Sequence, residues 1–123
     1  MRVRRIAVGV LGLILLASVS GWPHAYLVKS VPARRAVLSK PSVRIQLWFN
    51  ERIEPQFAQL AVWDAGGQQV DSEDVQLDPN DAKKLSVGVH PLGPGTYTVK
   101  FRVLSVDSHV VESEFSFTLR GSP

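Results

Sequence analysis

Three stretches of this chain alternate apolar and polar residues with a period of two, and that period commits them to β-strands with one buried face. In VRIQLWFN, residues 43–50, Val43, Ile45, Leu47 and Phe49 are predicted to point inward and Arg44, Gln46, Trp48 and Asn50 outward. In TYTVKFRV the inward set is Tyr97, Val99, Phe101 and Val103; in VESEFSFTLR it is Phe115, Phe117 and Leu119. Weaker strands are expected at residues 26–31, 59–63 and 85–89, with a short one near 68–70. Pro32, Pro41, Gly66-Gly67 and Pro94-Gly95 mark turns between them.

About seven short strands and no convincing amphipathic helix predict an all-β fold, an immunoglobulin-like Greek-key β-sandwich or barrel. LGPGTYTV resembles the tyrosine-corner stretch of such folds. Trp63 is expected in the core and Trp48 on the opposite sheet face. DSEDVQLDPNDAKK, residues 71–84, carries five acids and two lysines and reads as a solvated loop; the ligand spacing of an EF-hand is absent.

Ahead of the alternating region, Arg2, Arg4 and Arg5 precede the apolar run from Ile6 to Ala17, followed by SVSG. That is the layout of a secretory signal peptide, and twelve apolar residues are fewer than the roughly 20 a membrane span needs. We therefore expect residues 1–23 to be a signal peptide and residues 24–123 one exported domain, with an uncleaved anchor as the other reading. Pro23 is not the small-residue ending such signals carry, and Val19-Ser20-Gly21 fits that ending better, which would leave Trp22-Pro23-His24 at the new terminus.

Loss of the leader removes three arginines and no acids, so 14 basic residues become 11 against 11 acids. The whole-chain excess of +3 thus vanishes. A near-neutral domain without a basic stripe excludes nucleic-acid binding. There is no cysteine, which excludes a disulfide framework and thiolate chemistry. Met1 is the single methionine, so the domain without its leader holds no sulfur.

The three histidines are His24, His90 and His109. A cut before His24 would give one residue both a free amine and an imidazole, a bidentate end for a metal. Asp107 and His109 lie two apart, so an extended segment projects both to one side. The pair also reads as a polar turn before the last strand. Amine, imidazole and carboxylate suit cupric copper, whereas the soft ligands that select cuprous copper are missing. Were His24 third in the chain, the chelate of amine, two amides and imidazole could not form, because Pro23 has no N–H to lose. His90, beside Pro91, is expected to be a surface residue without a role.

HAYLVKSVPA, IQLWFNERIEP, LGPGTYTVKFRVLSVDSH and FSFTL together resemble the CopC-type periplasmic copper-binding proteins, in order, over residues 24–119. The resemblance implies an immunoglobulin-like β-sandwich that holds Cu(II) as carrier or buffer in the periplasm and is not an enzyme. It places metal ligands at His24, Asp107 and His109 and an outer-shell role at Glu51, which otherwise reads as an exposed acid at a strand end. It also implies an inner-membrane copper importer of the CopD type as partner. Two departures stand out: the methionine-rich cuprous site of some members is absent, and Tyr26 replaces a second histidine found in others. The alternatives are a copper-dependent oxidative enzyme of the polysaccharide monooxygenase kind and a metal-free immunoglobulin-like adhesion module.

Overall fold

A computed structural model describes residues 25–121. Eight strands form two four-stranded sheets: β1 (Leu27–Val31), β2 (Val37–Leu38), β3 (Arg44–Phe49), β4 (Gln59–Trp63), β5 (Gln76–Asp78), β6 (Asp81–Gly88), β7 (Gly95–Leu104) and β8 (Val110–Leu119). The first sheet runs β1-β3-β6-β5 and the second β2-β8-β7-β4. Pairing is antiparallel except where β2 lies parallel to β8. One turn of 3-10 helix, Pro55–Phe57, interrupts the passage from β3 to β4.

Side-chain parity sets which face is buried. Ile45, Leu47 and Phe49 from β3 meet Tyr97, Val99, Phe101 and Val103 from β7 and Phe115, Phe117 and Leu119 from β8 in one core, with Leu85 and Val87 beside them. The rings of Phe49 and Phe101 meet edge to face across the two sheets, centroids 5.6 Å apart. Such a pair adds about 1 kcal/mol beyond the area it buries. At the other end of β7 the Tyr97 hydroxyl donates to the Gly93 carbonyl at 2.6 Å, the bond expected of a tyrosine corner.

Four sequence expectations are revised. Val43 is 81% exposed, because β3 starts at Arg44 and Val43 lies beyond the covered part of the sheet. Trp63 shares its outward parity on β4 with Gln59 and Ala61, and it is half-buried on the outer sheet face instead of lying in the core. Residues 68–70 form no strand of their own; Gln69 bridges to Trp63 and protects the edge of β4. The acidic stretch 71–84 holds β5, a turn at Pro79-Asn80 and the first half of β6. Its Val75 and Leu77 alternate with the polar Asp74, Gln76 and Asp78 and pack against the core.

Asp71 in that stretch is only 3% exposed. Its carboxylate accepts the Val62 amide at 2.8 Å, the Glu73 amide at 2.9 Å and the Gln69 side-chain amide at 3.0 Å. A buried carboxylate is tolerated when its lone pairs are met in this way. Asp74, next along, takes the Gly88 amide at 2.7 Å and pairs with Arg44 at 3.1 Å. The segment therefore lies tightly over Gly88, where an added Cβ would come within 3.2 Å of the Ser72 hydroxyl.

Replacing Asp71 with Ala would leave the buried Val62 amide without an acceptor. We expect a loss of about 3 kcal/mol in urea denaturation. Tyr97→Phe, which removes one hydroxyl whose acceptor can turn to water, should lose about 1 kcal/mol in the same measurement.

Candidate metal centre

Strand direction decides which residues share an end of the sandwich. β3 finishes at Phe49, β6 starts at Asp81, β7 finishes at Leu104 and β8 starts at Val110, and all four termini lie at one end. His90 follows the far end of β6, where Gly88 pairs with Arg44 at the start of β3. It is exposed there, at the end of the domain opposite Asp107 and His109.

Asp107 and His109 sit in the tight turn between β7 and β8. The Ser108 amide donates to the Ser105 carbonyl at 2.9 Å, and the Ser105 amide donates to the His109 carbonyl at 2.9 Å. Ser108 adopts a left-handed conformation with φ of 73°, which reverses the chain within these few residues. Ser105 is buried, and its hydroxyl donates to the Asp107 carboxylate while accepting the His109 amide at 3.1 Å. Nδ1 of His109 lies 3.2 Å from Oδ1 of Asp107. Both side chains remain partly open to solvent, at 36% and 46% exposure.

The Ser105 hydroxyl holds the Asp107 carboxyl below its usual range; partial desolvation opposes this, and the neighbouring His109 imidazole adds to the lowering. A carboxyl depressed in the folded state stabilises the fold above its ordinary range. That contribution is lost as pH falls through the lowered value.

A short connector joins this turn to the start of the domain. Asn50, directly after β3, accepts the Tyr26 amide on its side-chain oxygen at 2.6 Å and donates its own amide to the Tyr26 carbonyl at 3.1 Å. Two residues on, the Arg52 carbonyl accepts the Val106 amide at 2.9 Å, and Ile53 bridges to Ser105. The Glu54 amide then donates to the Leu104 carbonyl at 2.8 Å. Residues 50–54 thus bind the start of the domain with one end and the Asp107–His109 turn with the other.

The structure brings Asp107 and His109 together and places Glu51, half-buried, in the connector between Asn50 and Arg52. His24 lies outside the described residues, immediately ahead of the buried Ala25. Among the described residues, no group of three or more His, Cys, Asp or Glu is placed to hold a metal. Asp107 and His109 supply two donors, so any complete site must draw on something further. Sequence reasoning missed Ser105 and Asn50, because nothing in their spacing foretells bonds across a turn or to another strand.

The CopC domain family model matches residues 27–120. Copper resistance protein C of Xanthomonas campestris pv. juglandis is 35% identical over 111 residues, spanning 85% of this chain and 87% of the relative. Among solved structures, CopC from Methylosinus trichosporium OB3b is similar at a TM-score of 0.75 and 29% identity, over 81% of this chain and 97% of that one. PcoC, a methionine rich copper resistance protein from Escherichia coli, is similar at a TM-score of 0.69 and 27% identity, over 80% of this chain and 100% of the other.

Ser105→Ala removes the hydroxyl that both sets the turn and stabilises the Asp107 carboxylate. Following the Asp107 carboxyl carbon by NMR through an acid titration should show its pKa rising toward the ordinary carboxylate range.

Proposed function

Because this chain belongs to the CopC family, we propose that it is an exported copper-binding protein that holds Cu(II) as a carrier or buffer outside the cytoplasm. One observation carries this reading: Asn50 and Arg52 fasten the start of the domain and the Asp107–His109 turn to a single short connector. The proposed ligands are the amine and imidazole of His24, made available by cleavage before it, with the His109 imidazole and the Asp107 carboxylate. Glu51, on the connector, is proposed to act through hydrogen bonds to a ligand or to water.

The spacing of the pair supports the assignment. Nitrogen and oxygen donors about 2.1 Å from a divalent ion and at right angles to each other stand about 3.0 Å apart. Nδ1 of His109 and Oδ1 of Asp107 are 3.2 Å apart, close to that spacing, and Nδ1 is buried, so an ion reaches this nitrogen once the ring or the turn shifts. An aspartate carboxyl is already ionised at neutral pH, and its lowered range keeps Asp107 an anion further into acid.

The choice of oxidation state follows from the donors. The relative PcoC is described as methionine rich, whereas Met1 is the single methionine here and lies in the expected leader. Nitrogen and oxygen donors favour the cupric ion, which also stands at the head of the divalent affinity order. Copper is cargo in this reading, delivered to an inner-membrane importer of the CopD type. An oxidative enzyme would need a platform for its substrate beside the metal. Trp48 instead has the ammonium groups of Lys29 and Lys84 over its ring, 4.6 Å and 5.0 Å from the centroid. Trp63 pairs with Thr98, toward the opposite end of β7 from the turn.

Calorimetric titration of the processed domain with Cu(II) should show one tight equivalent, and His109→Ala should weaken it at least a hundredfold. A single residue added ahead of His24 should remove the amine nitrogen from the electron paramagnetic resonance spectrum. An unchanged spectrum in the extended variant would exclude the amine, and uptake unaffected by His109→Ala would exclude the site.

A further inference from the structure

Two segments that carry proposed ligands belong to different sheets. Ala25 and Tyr26 lead into β1, while Asp107 and His109 lie between β7 and β8. No strand pairing joins β1 to either β7 or β8. What fastens the start of the domain at this end is Asn50: its backbone amide and its side-chain oxygen both bond to Tyr26, at 3.1 Å and 2.6 Å. The next paired position, Leu27 with Phe49, is followed by an irregularity in the register before Lys29. The regular ladder therefore reaches the terminal residues only weakly, and the side-chain bond makes up the difference.

We propose that Asn50 is a positioning residue of the copper site, fastening Tyr26 to the connector that also holds the Asp107–His109 turn. This rests on the copper-binding reading above. The physical reason is entropic. A free chain end must be ordered each time a metal closes the site, and ordering even one residue of backbone weakens a chelate by about tenfold, equivalent to about 1.4 kcal/mol. An end already fastened at Tyr26 has met that cost in folding. The Asn50 backbone amide is a donor and bonds the Tyr26 carbonyl, so the Tyr26 amide takes its acceptor from the Asn50 side chain.

The test compares Asn50→Ala and Asn50→Asp with the parent domain, with and without Cu(II). In the metal-free protein, hydrogen exchange at the Tyr26 amide should speed at least tenfold in Asn50→Ala, with exchange at Ser105, Ser108 and His109 unchanged. Asn50→Asp, which keeps an acceptor oxygen in place, should restore the protection. With Cu(II), Asn50→Ala should bind about tenfold more weakly through faster dissociation, and its paramagnetic resonance spectrum should lose nitrogen coupling while keeping that of His109. Parent-like affinity in Asn50→Ala, despite a freed Tyr26 amide, would overturn the positioning role while leaving the copper site standing. Failure of the parent domain to take up copper would overturn the copper reading itself, and unchanged Tyr26 exchange would show that Asn50 fastens nothing.

Discussion

The connector from Asn50 to Glu54 is the constraint on which the rest of the domain's working end depends. A β-sandwich places its sheets about 10 Å apart, and its two layers share no backbone ladder. Here the chain leaving β3 crosses between them and bonds to both: to Tyr26 through Asn50, and to Val106 and Leu104 through Arg52 and Glu54. Beneath it, Phe49 and Phe101 bring the two layers into edge-to-face contact. Sequence positions about eighty residues apart are thereby fixed relative to one another by packing and a few hydrogen bonds, without a disulfide.

Absence of cysteine shapes the chemistry as strongly as the fold does. A cysteine-free domain must draw its stability from core packing and from satisfied polar groups such as Asp71, which ties β4 to the segment following it. Among the described residues, which hold neither cysteine nor methionine, nitrogen and oxygen are the only donors for a metal. The serine-set turn at Asp107 and His109 offers one of each, held close and half open to solvent. Such a site suits uptake and release of an ion better than its permanent burial, and that agrees with a carrier.

Much of this was legible in the sequence, and the exceptions share a cause. Parity alone identified the inward faces of β3, β7 and β8, because residues on a pleated strand have no freedom to change sides. It failed for Val43, where the strand had not yet begun, and for Trp63, where bulk suggested burial but its position on β4 turned the ring outward. β5 was hidden because Val75 and Leu77 alternate within a run of acids whose net charge suggested a loop. The Asp107–His109 pair could be picked out by its spacing. Ser105 and Asn50 could not, since their roles consist of hydrogen bonds to partners that a linear reading does not bring together.

In the proposed copper site one ion closes between the residues that lead into β1 and the turn that follows β7. The most direct test of this closure is NMR of the processed, isotope-labelled domain during substoichiometric addition of Cu(II), whose unpaired electron broadens nearby amide signals. Ala25, Tyr26, the residues around Asn50 and those from Ser105 to Val110 should fade together at the same added copper, while signals near His90 persist. Fading of the turn without the start of the domain, or fading centred on His90, would contradict it.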